Sequence, residues 1–314
     1  MSAQQLADRA LLNLGRGLKE HGYRFITPTP LTHERVYQRL PTPLAVDLRD
    51  VFGWSMPFDN QLLPEAFREE LQQADVIEKH DALWRSAVRW SSLDDLLLAH
   101  SAYPTTQSDA VFFGPDSYRF AHLLEAHLQQ RGEPITRAVD IGCGAGVGAL
   151  VVARARPDAE VLAVDINPRA LRLTAVNAEL AGLANVSAYH SDVLGSVEGE
   201  FDLIVANPPY MNDDRQRAYR HGGGALGEQL SVRIASESLG RLALGGSLVL
   251  YTGVAIVAGE DPFLAAVKPL LASDAFGWTY RELDPDVFGE ELGKPGYERV
   301  ERIAVVALTV TRLR

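Results

Sequence analysis

From Arg137 onward one pattern repeats. Short, almost wholly apolar stretches ("RAVDIG", "EVLAVDI", "VSAYHSD", "FDLIVAN", "SLVLYTG") alternate with amphipathic ones ("VGALVVARAR", "PRALRLTAVNAELAG", "VRIASESLGRLALGG"), and "ERIAVVALTVTRLR" supplies a last strand. A strand that is apolar on both faces must be covered on both faces, which is what crossover helices do for a parallel sheet. The expected fold is α/β, and its ligands belong at the carboxyl ends of the strands. The unusual residues of the chain fall at those ends.

Before about residue 110 the character differs. Short helix-like pieces alternate with Pro-rich connectors such as "TPTPLTHERVYQRLPTPL". "PEAFREELQQADVIEKH" places Pro64 at a first helical turn, with Phe67, Leu71 and Ala74 at helical spacing. "ALWRSAVRWSSLDDLLLAHSAY" fits two strands about a turn. The expected organisation is a smaller N-terminal domain over 1–110, mainly helical with a hairpin and winged-helix-like, followed by a larger α/β domain over 111–314.

Composition narrows the setting. The chain has 314 residues, 46% hydrophobic and 23% charged, which reads as soluble and globular. "MSAQQLADRALLNLGRGLKE" is amphipathic, unlike a signal segment, and "GGSLVLYTGVAIVAG" is shorter than the ~20 residues of a membrane span. Cytoplasmic residence, no membrane and no metal are expected. The single cysteine, Cys143, forbids an intramolecular disulfide or a Cys-based zinc cage; it reads as a small residue in a tight turn. Net charge is −11, and the parts before and after Gly132 are both acidic. That field does not favour a nucleic-acid backbone, although a local patch can bind inside an acidic chain.

"VDIGCGAGVGAL" puts Gly142, Gly144 and Gly146 between a strand and a helix. Glycines there let the backbone approach a ligand and adopt dihedrals closed to other residues. The turn alone also satisfies a loose dinucleotide template, with Asp165 about 20 residues on, but no Gly-Lys-Ser/Thr follows and a phosphate-binding P-loop is excluded. Three acids narrow the choice. Asp140 precedes the first glycine, Asp165 ends the next strand and Asp192 the one after. Each alone could merely cap a helix or turn, and Asn167 followed by Pro168 after Asp165 makes a helix start. Together they suit a ligand carrying a sulfonium, an ammonium, a ribose diol and an adenine amine, which is S-adenosylmethionine.

On this motif, an acid followed by Gly-x-Gly-x-Gly, the chain resembles the class I S-adenosylmethionine-dependent methyltransferases over roughly residues 112–314. The resemblance implies a Rossmann-like sheet, mostly parallel with its last strand antiparallel. It implies that Asp140 and the backbone of Gly142, Gly144 and Gly146 hold the methionine part, that Asp165 takes the ribose hydroxyls and that Asp192 receives the adenine amino group.

"FDLIVANPPYMND" ends a strand on Asn207, then Pro208, Pro209 and Tyr210. Two prolines and an aromatic could simply terminate a strand. In a sheet already carrying cofactor-type motifs, a chemical reading is stronger. An amide or aromatic amino nitrogen is a poor nucleophile because its lone pair is delocalised, so a site that methylates it must hold both N–H groups. The Asn207 side-chain oxygen and the Pro208 carbonyl, fixed by the proline ring, supply two acceptors. Tyr210 offers a face to a planar substrate. Asn207 is therefore expected at both donor and acceptor.

"NPPY" followed by "HGGGALGEQLSVRIASESLGRLALGG", and "FFGPDSYRFAHLLEAHL" about 25 residues before the glycine turn, resemble the release-factor glutamine N5-methyltransferases of the HemK type. The resemblance implies a protein glutamine as acceptor, with a translation factor as partner. The chain departs from that family in its longer N-terminal part, in keeping only Gly-Pro-Asp of the first segment, and in an insertion after Gly253 that contains "EDPFLAAVKPLLASDAFGW". An RNA adenine or guanine N-methyltransferase, a small-molecule N-methyltransferase and a non-catalytic binding module are the other readings. His221 and Arg233 lie near the site in the chain, with surface or capping roles favoured for each. Oligomeric state is not legible.

Overall fold

The computed structural model describes residues 2–213, 217 and 219–314. Four helices open the chain: α1 (Ala3–Glu20), α2 (Pro30–Tyr37), α3 (Leu48–Phe52) and α4 (Glu65–Gln73). Two antiparallel hairpins follow, β1 (Ile77–His80) with β2 (Leu83–Ser86) and β3 (Val88–Leu93) with β4 (Leu96–Ser101). The second hairpin turns at Asp94 and Asp95, as the sequence led us to expect. The first was not anticipated. Helical spacing in 64–80 ends at Gln73, Asp75 takes φ 54°, and "VIEKH" becomes strand. A β-branched pair after a left-handed residue cannot continue a helix and pairs instead.

The remainder comprises α5 (Pro115–Gln130), β5 (Arg137–Ile141), α6 (Val147–Ala155), β6 (Glu160–Asp165), α7 (Pro168–Ala181), β7 (Val186–His190), β8 (Phe201–Ala206), α8 (Gln229–Leu239), β9 (Leu242–Ile256), α9 (Pro262–Val267), β10 (Phe276–Asp284) and β11 (Arg302–Arg312). Seven strands form one sheet in the order β10-β11-β9-β8-β5-β6-β7. β5 to β9 are parallel, and the last strand, β11, runs antiparallel to β9. The insertion supplies α9, a turn of 3-10 helix and the start of β10, which covers the edge of β11.

The sheet is covered on both faces. On one face, Ala138 and Leu203 meet Leu150 of α6 and Leu173 of α7; on the other, Val139, Ile204 and Leu248 meet Ile234 of α8 and Phe263 of α9. Each fully buried aliphatic side chain contributes roughly 1.5–3 kcal/mol. α6 is buried all round, from Val147 to Ala153. The first core continues without a break into Leu11 and Leu14 of α1 and into Trp90 and Leu98 of the second hairpin. One polar clamp crosses that junction. Asn177 of α7 accepts from Ala99 N (2.8 Å) and donates to Ala99 O (3.0 Å) and Ala145 O (2.9 Å), tying β4 to the glycine turn.

Strand order reverses at β5. The chain moves outward through β6 and β7, then returns to place β8 on the other side of β5. Such a switch point opens a crevice at the carboxyl ends. Ile141 pairs in register with Ala206 on one side and with Val164 on the other. Gly142, Asp165 and Asn207 therefore leave three adjacent strands at the same level.

Candidate active site

The crevice holds a cavity of ≈ 210 Å³. Eight of the nine residues singled out from the sequence line it: Asp140, Gly142, Gly144, Asp165, Asp192, Asn207, Pro208 and Tyr210. Gly146 does not. It starts α6 at φ 86°, and a Cβ there would lie 2.8 Å from Leu150 Cδ1 and 3.0 Å from Thr174 Cγ2. Its glycine is required by packing under the turn.

Gly142 (φ 69°) and Gly144 (φ 54°) are also left-handed, but nothing lies within 4 Å of where their Cβ atoms would stand. They form an open cradle. Gly142 N and Cys143 N donate to Val164 O (2.8 and 3.0 Å), anchoring the turn to β6. Cys143 is buried, and burial pushes its thiol well above the ordinary range, so it is no nucleophile.

The three acids differ in surroundings. Asp140 is 2% exposed; its Oδ2 accepts from Ala149 N at 2.8 Å, and a Cβ on Gly148 would meet its carboxyl group at the same distance. It sits under the amino end of α6, with burial raising its pKa to about 7 against the favourable helix N–H groups. Asp165 accepts from Gly144 N (3.0 Å) and Asn167 N (2.9 Å), and burial raises its pKa. The expected helix start follows, with Asn167 accepting from Arg169 N and Pro168 at the first position. Asp192 lies two residues past β7, which ends at His190, and its side chain is 65% exposed. Its carboxylate pairs with Arg233 Nη1 at 2.8 Å, so an adenine amine there must compete with a guanidinium. Arg233 also pairs with Glu237 (2.7 Å), and His221 Nδ1 takes a bond from Asp213 N (3.3 Å).

Asn207 and Pro208 stand out by what they lack. Among the described residues, no hydrogen bond reaches the Asn207 side chain or the Pro208 carbonyl, and both residues line the cavity. Buried polar groups are normally paired; acceptors left open at a cavity wall are ready for a ligand. Tyr210 differs from the expectation of an open aromatic face. It is 8% exposed, and its ring fills the space over Gly253, where a Cβ would fall 2.1 Å from Tyr210 Cε2.

Sequence reasoning missed the residue that fixes this ring. Asp116, in the Gly-Pro-Asp segment at the start of α5, accepts from the hydroxyls of Tyr210 and Tyr251 (2.7 Å for the latter) and from Arg119 Nη1 (3.1 Å). The Gly-Pro-Asp signal was visible, but its target was not. Also missed was Phe288, which lines the cavity with its ring centroid 6.3 Å from that of Tyr210. It takes φ 54°, ψ 39°, a left-handed conformation that costs a side-chain-bearing residue roughly 1–2 kcal/mol.

An open glycine cradle at the switch point of this seven-stranded sheet, with an acid beside it and a free amide across it, defines a class I methyltransferase domain. Residues 107–252 match the family described as "Methyltransferase small domain". Curated relatives include the release factor glutamine methyltransferase of Deinococcus radiodurans, 34% identical over 60% of this chain and 66% of its own length. Those of Escherichia coli (36% identical; 37% of this chain, 42% of the relative) and Koribacter versatilis (31% identical; 54% and 61%) also match. The chain thus spans less than two thirds of the length of these relatives. Among solved structures, an M. jannaschii tRNA m1G37 methyltransferase aligns at 15% identity over 73% of this chain and 57% of that one, with a TM-score of 0.49. Over this domain the chain is similar to the HemK-type class I methyltransferases. No helix among the described residues is long and apolar enough to cross a membrane, and no cluster of metal-binding side chains occurs among them.

Proposed function

We propose that this chain transfers a methyl group from S-adenosylmethionine to the side-chain nitrogen of a protein glutamine, and that residues 1–110 form an acceptor-recognition domain. The observation that carries the reading is the pair of acceptors without a partner among the described residues, Asn207 and the Pro208 carbonyl, in the same cavity as the open glycine cradle. The relatives named as glutamine methyltransferases supply the acceptor class.

The residues fit the cofactor. The open cradle at Gly142 and Gly144 would take its amino-acid end, and Asp165 and the more exposed Asp192, both lining the same cavity, would take the ribose hydroxyls and the adenine amine. S-adenosylmethionine bound there supplies an electrophilic methyl on its sulfonium. The protein holds the acceptor carboxamide by both N–H groups, one on Asn207 Oδ1 and one on the Pro208 carbonyl, turning the nitrogen lone pair toward the cradle. Fixed dipoles need no reorganisation during the reaction, and closeness of the two reacting groups supplies much of the rest. The nitrogen gains a methyl and loses one proton; neither amide oxygen is a base at neutral pH, so the proton passes to water.

Charge pairing favours protein over RNA. Among the described residues, the one guanidinium lining the cavity, Arg220, is engaged by Glu291 (2.6 Å), and those that pair with lining acids are engaged too: Arg233 with Asp192, and Arg119 with Asp116 and Asp284 (2.8 Å). A phosphate backbone gains its affinity from cations free to displace counterions. The test is transfer of labelled methyl to a purified peptide-chain release factor, with the modified residue mapped by mass spectrometry. A methylated glutamine is the expected product; label in RNA, or on another residue type, overturns the assignment.

A further inference from the structure

The connection between β10 and β11, residues 285–301, folds back from the sheet edge over the carboxyl ends of the strands and carries Phe288 into the cavity wall. Several contacts hold it there. Val287 N donates to Ile303 O of β11 (2.8 Å), and Glu291 N donates to Phe288 O (2.8 Å). The segment is also latched to the loop after Tyr210: Asn212 N donates to Tyr297 Oη (2.9 Å), and the buried Glu291 carboxylate pairs with Arg220, itself a cavity residue, and with Lys294 (2.6 Å). Two loops far apart in sequence thus form one wall, and Phe288 is its inward point.

The ring of Phe288 meets that of Tyr210 at a centroid distance of 6.3 Å and an interplanar angle of 57°. To hold a flat ring between two aromatic faces requires two carbon contacts of about 3.5–4.0 Å, hence roughly 7–8 Å, with all planes near parallel. Neither condition is met. The backbone of Gly253 packs directly against the Cδ2–Cε2 edge of the Tyr210 ring. The tyrosine that would serve as a stacking platform for a nucleobase is only 8% exposed, too little of its ring for a base to stack on.

We infer that Phe288 is the specificity-determining residue of the acceptor subsite: it covers Tyr210 so that a planar base cannot stack there, and leaves the space before Asn207 to a narrow carboxamide arm. The inference rests on the glutamine reading above and names the residue that enforces it. Glu291 acts as a positioning residue through its latch to Arg220.

The test is binding of 9-methyladenine to the protein saturated with S-adenosylhomocysteine, which blocks the adenine site of the cofactor. F288A binds the base at least tenfold more tightly than wild type, F288L retains the exclusion, and E291Q shifts affinity in the same direction as F288A by a smaller factor. Equal affinity of wild type and F288A, detectable or not, overturns the inference. Should F288A fail to fold, judged by its thermal transition, E291Q decides the matter: an affinity equal to wild type overturns it. The base-binding comparison does not depend on the release factor, so a wild type that fails to methylate that protein removes the glutamine reading and leaves the Phe288 result distinguishable.

Discussion

The Tyr210 hydroxyl donates to the carboxylate of Asp116, a residue 94 positions earlier in the chain. Tyr251 donates to the other oxygen of the same carboxylate, at 2.7 Å. One buried acid therefore fixes the ring that follows Asn207-Pro208-Pro209, and it comes from α5. In D116N the carboxamide can accept through one oxygen only, leaving a buried donor without a partner. The expected loss is about 1–3 kcal/mol, read from urea denaturation. Because Tyr210 and Asp116 act through one bond, Y210F in the D116N background should cost much less than Y210F alone; additive losses would show that the bond does not position the ring.

Asn207 presents its amide to the cavity with no partner among the described residues. N207A should leave the fold intact, since no hydrogen bond is broken, and reduce methyl transfer by roughly 10²–10³. Calorimetric titration with S-adenosylhomocysteine should show a dissociation constant within about threefold of wild type. Activity equal to wild type would remove Asn207 from the acceptor site.

Burial raises the Asp140 carboxyl pKa to about 7. The unfolded chain releases this proton near pH 4, so between about pH 4 and pH 7 the folded state binds more protons. The stability linked to this group is fully present below pH 4 and is lost as pH rises through about 7. His33 and His127, both lowered to about 4 by burial, act in the opposite sense between about pH 4 and 6.5. A single pH profile mixes these effects; the difference between wild type and D140N separates them. Asn keeps an acceptor for Ala149 N, so D140N should gain stability relative to wild type from pH 4.5 to about pH 7 and hold that gain above it. A pH-independent difference would place the Asp140 pKa in its ordinary range.

The Asp192–Arg233 pair is 2.8 Å long, with side chains 65% and 44% exposed. Pairs this exposed contribute about 0–1 kcal/mol to stability, so R233A should hardly change the thermal transition. It should nonetheless tighten S-adenosylhomocysteine binding by roughly two- to fivefold, because Asp192 no longer shares its charge, and D192A should weaken it. If neither variant alters binding, the adenine amine goes elsewhere.

The α/β class, the parallel sheet and the glycine turn were legible because each rests on local pattern: apolar strands, amphipathic helices, glycines where positive φ is required; the antiparallel last strand was implied only by the family resemblance. The position of Asn207 at a strand end was legible for the same reason, and so was the hairpin about Asp94. The reading failed where long-range partners decide the outcome. Helical spacing through "VIEKH" yielded to pairing with β2. Asp192 met Arg233, 41 residues away in sequence, and Tyr210 was drawn under cover by Asp116 and Phe288.

The sequence by itself thus determined which groups the proposed chemistry rests on, since a left-handed turn, a locked proline and a free amide are properties of residues and their immediate neighbours. That Gly142 and Asn207 face each other was decided by the tertiary structure alone. Strand order places β8 beside β5, and the register of Ile141 with Ala206 brings both motifs to one level of the crevice. The cavity wall at Phe288 was decided there too, by a loop latched to another loop through Glu291 and Arg220. Such contacts depend on the packing of elements distant in sequence, and no local pattern encodes them.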